Sequence, residues 1–378
     1  MTAGARITLV AAVACAVLMF AGYAVKRTCP GPSPADGYPS TCYTDIQWDR
    51  GLYRPGVVPY VDQFVEYPAL TGTFMWVTAR MTNNQSQYLA INAVLLGLVA
   101  VAASVVLARL TGRRALAWAL APQLVMVGLL NWDILVVGSM TAAAWCWYRW
   151  RLGWAGIWLG IGTALKLYPA LLAVPFAVER LRQRDRRGAG LLIAGTAIGA
   201  AMPNLPYLIA SPHGWWATYR FHIHRPAEVN SIWTHGPPHM AVPTLNLVSG
   251  LLTAAGVAAA LLYAWRRPLA DGRYPALQVA GAMLAVLFIF SKVVSPQYVL
   301  WLLPFFALLR VPVGWWAAFL VVSTMMYAAA FMVGYPGLPP ERVDAAYDVM
   351  VWTRSGLLAG LAVAFLRSAT VEQPAAPQ

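Results

Sequence analysis

The stretch YLAINAVLLGLVAVAASVVLA, residues 88–108, decides the fold class of this chain. It carries no charged side chain, and its length matches the ~20 apolar residues that a helix needs to cross a bilayer. Arg109, Arg113 and Arg114 follow it directly. Because short cytoplasmic loops carry an excess of Lys and Arg, we expect a membrane-spanning helix whose C-terminal end lies in the cytoplasm.

Comparable apolar stretches occur along the whole chain of 378 residues. Hydrophobic residues make up 60% of it and charged residues 11%, against about 25% charged in soluble domains. This composition excludes a soluble enzyme and a disordered protein. It favours an all-α polytopic membrane protein, which we treat as one integral-membrane domain over residues 1–378. Besides the first stretch, the predicted spans are 7–24, 115–131, 134–148, 188–210, 243–264, 275–291, 297–309, 313–332 and 346–366.

The apolar segment 153–178 could form one helix or two short ones. One helix would place the arginines of 180–187 outside the membrane, against the positive-inside rule. Two short helices that meet at Lys166-Leu167-Tyr168-Pro169 return the chain to the cytoplasm. We therefore expect about twelve transmembrane helices, both termini in the cytoplasm, and a short cytoplasmic tail over residues 368–378.

The net charge of +13 is a topology signal. Nearly all of the excess positive charge falls in the predicted cytoplasmic segments, whereas the outer segments are close to neutral. The sequence has no soluble domain with a cluster of basic and aromatic residues, so it does not predict a nucleic-acid-binding surface.

Most of the polar and ionisable side chains that could bind a substrate or catalyse a reaction fall on the predicted outer face. This face holds two long loops, 25–87 and 211–240. The first loop places carboxylates among aromatic residues, and residues 67–81 fit a helix that lies along the membrane interface. An ionised carboxylate there could act as a general base or be an ordinary solvated loop acid. The four acids are Asp45, Asp49, Asp62 and Glu66.

Three short polar motifs fall at outer helix ends: Asn131-Trp132-Asp133, the turn at Lys166, and residues 291–298. A lysine in such a place needs an anionic partner or extends to the interface. This applies to Lys166 and Lys292. The second loop adds the possible phosphate contacts Arg220, His222 and His224.

Two further features concern single residues. Cys29 and Cys42 share the first outer loop, and an oxidising compartment would allow a disulfide between them. Arg354 falls inside the last predicted span if that span begins near residue 346. A buried arginine there would need an anion or a carbonyl oxygen as partner.

The order of these motifs resembles the polytopic glycosyltransferases of the GT-C superfamily. Within it, the chain is similar to family 87, the polyprenyl-phosphate-mannose-dependent α-mannosyltransferases of bacterial envelope biosynthesis. The resemblance covers residues 40–310. It rests on an acid after the first span, Tyr67-Pro68, Asn131-Trp132-Asp133, Lys166-Leu167-Tyr168-Pro169 and Ser295-Pro296-Gln297-Tyr298.

The resemblance implies a GT-C-like helical bundle in the bacterial plasma membrane with its active site on the outer face. It implies a polyprenyl-phosphate sugar donor, inversion at the anomeric carbon, and a glycolipid or glycan acceptor. By position, Asp45 corresponds to the general base and Lys166 to a contact of the donor phosphate. Many family members carry histidine in the late motif, where this chain has Gln297 and Tyr298, so Lys292, His222, His224 or Arg220 could supply a phosphate contact instead. The expected substrate contacts are Asp49, Asp62, Glu66, Tyr67, Asp133, Tyr168, Gln297 and Tyr298.

Several alternatives stay open at this point. No cofactor is expected, although Asp45 and Asp49 could share a divalent metal. An arabinofuranosyltransferase that uses the same lipid carrier fits the same motifs. A flippase or transporter of lipid-linked sugars would place ionisable residues near the middle of the membrane, whereas here they fall at the outer ends of the helices.

Overall fold

The computed structural model describes residues 2–28, 42–49, 56–236, 240–269, 272–330 and 340–370. Within these residues the chain is helical, with short 3-10 turns and no β-strand, which confirms the all-α fold class. The helices are α1 (Ala3–Lys26), α2 (Asp45–Asp49), α3 (Ala69–Arg80), α4 (Gln85–Thr111), α5 (Leu116–Ala119), α6 (Gln123–Met126), α7 (Asp133–Tyr148), α8 (Leu152–Leu165), α9 (Pro169–Arg182), α10 (Arg186–Ala210), α11 (Pro212–His224), α12 (Val242–Arg266), α13 (Ala276–Phe290), α14 (Val299–Leu308), α15 (Val313–Ala330) and α16 (Pro340–Arg367).

Five of the described helical segments are long and apolar enough to cross a membrane. They are Ala3–Lys26, Gln85–Ala119, Arg186–Ala210, Val242–Arg266 and Asp344–Arg367. Shorter apolar helices accompany them, among them α8, α13 and α15. The chain is a multi-pass membrane protein, and the number of twelve complete spans stays a prediction.

The predicted break at Lys166 is confirmed. Helix α8 ends at Leu165 and α9 begins at Pro169. Lys166 has extended backbone torsions, and a proline is well placed at the first position of a helix because no N–H is needed there. The helix expected within residues 67–81 is present as α3.

The single span predicted for residues 115–131 is wrong. The chain forms the two short helices α5 and α6, and Pro122 stands between them. Proline has no N–H to continue a helix and its ring clashes with the preceding turn. The side-chain amide of the buried Gln123 donates to the carbonyl oxygen of Leu320 at 3.0 Å, so this irregular segment is fixed against α15.

Helices α8 and α10 run parallel and pack closely through glycines. A Cβ on Gly156 or Gly160 would overlap backbone atoms of α10, and one on Gly195 or Gly199 would overlap backbone atoms of α8. Small residues four positions apart allow such close approach of membrane helices. This pair forms a rigid support beneath the turn at Lys166.

Candidate active site

A cavity of about 770 Å³ brings together residues of the two long loops, 25–87 and 211–240, and of the three polar motifs. These segments are far apart in the chain, and they meet where α7, α9 and α14 begin. The polar and aromatic residues that line the cavity include Tyr43, Asp45, Glu66, Tyr67, Asn131, Lys166, Tyr168, His222, Arg225, Glu228, Asn230, Lys292, Gln297, Tyr298, Trp301 and Tyr327.

Asp45 is held in the wall of this cavity by its backbone and by both carboxylate oxygens. Its N–H donates to the carbonyl oxygen of Leu130 at 2.9 Å. Oδ1 accepts a hydrogen bond from the Tyr43 hydroxyl at 2.8 Å, and Oδ2 accepts one from the Asn131 amide at 2.9 Å. Burial raises the pKa of Asp45 above its ordinary value, although these two hydrogen bonds and the charge of Lys166 act in the opposite direction.

Asn131 connects Asp45 to the neighbouring aromatic residues. Its amide nitrogen also donates to the Tyr67 hydroxyl at 2.8 Å, and its Oδ1 accepts from the backbone N–H of Trp132 at 2.7 Å. The Trp132 indole in turn donates to Asn92 on α4 at 2.7 Å. Because every polar atom of the Asn131 side chain has a partner, its orientation toward Asp45 is fixed.

Lys166 presents a positive charge to the cavity. Its Nζ lies 3.7 Å from Oδ2 of Asp133 and near the rings of Tyr67 and Tyr298, at 5.1 and 5.7 Å from their centroids. Burial opposes the charge, but the carboxylates of Asp133, Asp45 and Glu66 together with the Tyr298 hydroxyl raise the pKa of Lys166 above its ordinary value. Lys166 is therefore protonated.

Asp133 lies behind Lys166 and outside the cavity lining. Its side chain is 0% exposed, and Oδ1 accepts a hydrogen bond from the Trp301 indole at 2.7 Å. The expected substrate contact at Asp133 is thus placed as the buried counter-ion of Lys166. The anionic partner expected for a lysine at this turn is present.

A second polar cluster lies across the cavity and centres on Arg225. Its guanidinium contacts Glu66 at 3.1 Å and also pairs with Glu228. The Ser295 hydroxyl donates to Glu228 at 3.3 Å. Lys292 donates to the carbonyl oxygen of Arg225 at 2.7 Å. Burial raises the pKa of Glu228 and lowers that of Lys292. Through Arg225, the cluster joins Glu66 of the first long loop to Glu228 of the second.

The buried end of α1 supports the same loop from the other side. Lys26 Nζ donates to the carbonyl oxygen of Tyr43 at 2.7 Å and to the Tyr327 hydroxyl at 2.9 Å. Tyr43 is the residue that donates to Asp45. The position of the candidate base therefore depends on α1 and α15 as well as on its own loop.

A second cavity, of about 560 Å³, adjoins the first at Leu287, Ser291 and Lys292. Its lining is mainly apolar and comes largely from α12, through residues 246–261, with Leu171 from α9. The two cavities meet at the C-terminal end of α13, where an apolar surface adjoins the polar site.

The sequence profile of glycosyltransferase family 87 matches residues 64–296 of the chain. This range covers more than half of the chain and includes most of the cavity lining. The chain belongs to glycosyltransferase family 87. The family expected from the motifs is confirmed, and the protein is a membrane glycosyltransferase.

The chain is also similar to a solved structure. It is ArnT from Cupriavidus metallidurans bound to undecaprenyl phosphate, at 15% sequence identity with a TM-score of 0.49. The match covers 94% of this chain and 76% of that chain. No curated protein sequence matches this family 87 chain.

Most of the residues expected at the site of this family 87 protein line the cavity, and some lie elsewhere. Asp62 is exposed, and its Oδ2 accepts from the N–H of Val58 at 2.8 Å. Arg220 and His224 are exposed and pair with each other, through His224 Nδ1 and the Arg220 carbonyl oxygen. Asp49 ends α2. The expected residues that line the cavity are Asp45, Glu66, Tyr67, Lys166, Tyr168, His222, Lys292, Gln297 and Tyr298.

The cysteine prediction is only partly covered by the described residues. Cys42 is disulfide-bonded, whereas Cys15 and Cys146 are free and buried. Cys29 lies outside the described residues, so its pairing with Cys42 stays a prediction.

Arg225, Glu228, Asn230, Lys26 and Tyr327 belong to the site region and were not expected there. Arg225 and Glu228 could have been found from their spacing, since they are three residues apart in a loop rich in ionisable side chains. Tyr327 carries no such signal because it stands within an apolar helix. These residues reach the site through contacts between segments that are distant in the chain, which the sequence alone does not show.

No group of three or more His, Cys, Asp or Glu side chains that could hold a metal ion occurs among the described residues. Asp45 uses both of its carboxylate oxygens in hydrogen bonds. A metal shared by Asp45 and Asp49 stays an alternative to the expected absence of a cofactor.

Proposed function

We propose that this protein is an inverting glycosyltransferase that moves mannose from a polyprenyl phosphate to a glycolipid or glycan acceptor at the outer membrane face. The observation that carries the proposal is the carboxylate of Asp45, oriented by Tyr43 and Asn131, in one cavity with the protonated Lys166. A carboxylate base and a cation are the two groups that displacement of a phosphate from a sugar requires.

The reaction is a single displacement. The acceptor hydroxyl oxygen forms a bond to the anomeric carbon, and the bond from that carbon to the phosphate oxygen breaks. The electron pair of the broken bond stays on the phosphate, and the acceptor proton passes to Asp45. Because burial raises the pKa of Asp45, its carboxylate is a stronger base than an ordinary aspartate.

Lys166 stabilises the negative charge that develops on the departing phosphate. Asp133 holds it from the buried side, and the Lys166 side chain is 14% exposed toward the cavity. Tyr168, Trp301 and Tyr298 stack beside it, with ring centroids 3.8 and 3.9 Å apart. In this proposal these residues, together with Tyr67, Glu66 and Gln297, contact the sugars.

The apolar cavity along α12 takes the lipid chain of the donor. It adjoins the polar cavity at Lys292, and a prenyl chain offers only apolar surface for burial. The donor phosphate would then lie where the two cavities meet, within the polar site.

The test is transfer by the purified protein in nanodiscs from radiolabelled polyprenyl-phosphate mannose to an extract of envelope glycolipids. Asp45→Asn keeps the shape of the side chain but cannot accept the proton. We expect transfer to fall by about 10²- to 10⁴-fold, the usual contribution of a general base. Asp62→Asn is the matched control, because Asp62 is exposed and lies outside the cavity lining.

Transfer that survives in a folded Asp45→Asn protein would place the base elsewhere. Transfer only from the arabinofuranosyl lipid would change the donor sugar. Failure of the wild-type protein with both donors would contradict the proposal and favour a flippase of lipid-linked sugars.

A further inference from the structure

The second cavity forms a groove along most of α12. It follows this helix from Asn246 to Leu261, and α12 ends at Arg266. Leu171 of α9 also lines it, and Val174, about one turn further along α9, is 40% exposed. Because residues three or four positions apart lie on one side of a helix, the groove runs between apolar sides of α9 and α12.

The two helices are joined where this groove ends. Arg182, the last residue of α9, donates from Nη1 to the carbonyl oxygen of Trp265 at 2.8 Å, and its guanidinium carbon lies 4.9 Å from the centroid of the Trp265 ring. Trp265 follows Leu261 by four positions on the same side of α12 and is 53% exposed. The contact therefore places a positive charge and an exposed indole at the end of an apolar groove.

Further positive charge surrounds this contact. Helix α10 begins directly after the short turn that follows α9, so arginines from both helices lie near the end of the groove. The exposed ones, with those that follow Trp265 on α12, are Arg184, Arg186, Arg187, Arg266 and Arg267. None of them forms an ion pair within the described part of the chain. The neighbouring acids Glu179 and Asp185 pair with Arg180, and Asp271 lies outside the described residues.

An apolar groove that ends among unpaired arginines is complementary to a lipid with a negative headgroup. Basic pockets between transmembrane helices on the cytoplasmic side bind such headgroups, and the sequence predicts that these helix ends are cytoplasmic. A soluble polyanion would contact the arginines but would leave the apolar groove uncovered. Arg182 has five N–H donors, so its bond to Trp265 leaves others for phosphate oxygens.

We propose that this end of the groove binds an anionic phospholipid of the cytoplasmic leaflet. Its phosphate contacts Arg182 and Arg266, and an acyl chain lies along the part of the groove nearer Trp265. The prenyl chain of the donor enters from the other end, at Lys292. The bound phospholipid joins α9 to α12, and the inference holds whichever sugar the protein transfers.

The test measures phosphatidylglycerol binding to the delipidated full-length protein by native mass spectrometry, with phosphatidylcholine of the same acyl chains as the ligand without net charge. One arginine near an anionic lipid surface contributes about fivefold in affinity. We therefore expect Arg182→Gln combined with Arg266→Gln to weaken phosphatidylglycerol binding about 10- to 30-fold. Phosphatidylcholine binding should stay as in wild type.

The matched control is Arg109→Gln combined with Arg113→Gln. These two arginines are exposed at the end of α4, on the same predicted face, and lie outside the groove lining. The control removes the same charge, and we expect phosphatidylglycerol to bind it within about twofold of wild type. An equal loss in both pairs would show general attraction to a basic face and would overturn the site.

A second pair of variants tests the groove without changing any charge. Ala258 lines it and is exposed, so Ala258→Trp fills the space that an acyl chain needs. We expect phosphatidylglycerol to bind this variant about 10-fold more weakly, the equivalent of roughly two buried CH₂ groups. Ala259→Trp is the control, because Ala259 is exposed on α12 outside the groove lining.

The outcomes are independent of sugar transfer. Equal affinity of the wild-type protein for phosphatidylglycerol and phosphatidylcholine overturns the assignment to an anionic lipid. Unchanged phosphatidylglycerol binding in Ala258→Trp overturns the groove as the site of the acyl chain, even if the arginine variants fail to fold. Neither result affects the proposed transferase reaction, and loss of transfer in Asp45→Asn leaves this lipid site in place.

Discussion

At the scale of single residues, burial and hydrogen bonding act in opposite directions on the Asp45 carboxylate. Burial raises its pKa, and the donors Tyr43 and Asn131 stabilise the ionised form. In the proposed reaction Asp45 is active only when ionised, so we expect the transfer rate to fall as the pH decreases through this pKa. The two donors therefore help to determine the lowest pH at which Asp45 stays ionised and the proposed transfer proceeds.

Asn131→Ala should move the acid limb of kcat/KM toward higher pH. The substitution removes a donor that stabilises the ionised carboxylate, so the pKa of Asp45 increases further. Tyr43→Phe should act in the same direction. A pH–rate profile measures both, with Asn204→Ala as control because Asn204 binds Trp215 and Tyr219 instead. An acid limb that stays in place would show that Asp45 is not the titrating base.

At the scale of helices, the distribution of arginines correctly predicted the break at Lys166. The apolar character of residues 115–131, by contrast, wrongly predicted a single membrane span. Under the positive-inside rule, the arginines of residues 180–187 favour a return of the chain to the cytoplasm. In the second case an apolar run looked like one span, although Pro122 divides it. The buried Gln123 bonds to Leu320 on α15, and such a partner cannot be found from local periodicity.

Helix α10 offers a direct test of its packing against α8. Gly199→Ala places a Cβ against the carbonyl oxygen of Ile157, and we expect a loss of about 1–3 kcal/mol in unfolding free energy from overpacking. Gly190→Ala on the same helix meets nothing within 4 Å and should leave stability unchanged or slightly higher. Thermal unfolding in detergent compares them, and equal melting temperatures would contradict the close glycine contact.

At the scale of the whole molecule, the sequence predicted which residues line the site better than it predicted which of them pair with each other. The motifs predicted that Asp45, Lys166 and Tyr298 share one face of the membrane, and all three line the same cavity. The pairing of Arg225 with Glu66 joins residues 159 positions apart. Arg354 and Asn230 are 124 positions apart. Such pairs form when the helices pack, and because the partners are far apart in the chain, no local pattern in a single sequence predicts them.

The asymmetric distribution of positive charge predicts the orientation of the molecule. Gly4 and Asp62 are both exposed, and we expect Gly4 in the cytoplasm and Asp62 outside. In intact cells, a membrane-impermeant maleimide should label Asp62→Cys, and Gly4→Cys should react only after permeabilisation. The free native cysteines Cys15 and Cys146 are buried, which keeps the background low. The reverse labelling pattern would invert the topology.

The hydrogen bond between Lys26 and Tyr327 joins residues 301 positions apart, and this separation has a consequence for biosynthesis. At about 5–20 residues per second, roughly 15–60 s pass between the synthesis of the two residues. During that time α1 is in the membrane without its contact to α15. Since Lys26 also holds Tyr43, the wall around Asp45 is completed only when α15 has been inserted. A growing chain therefore lacks an assembled site until nearly all of it has been translated.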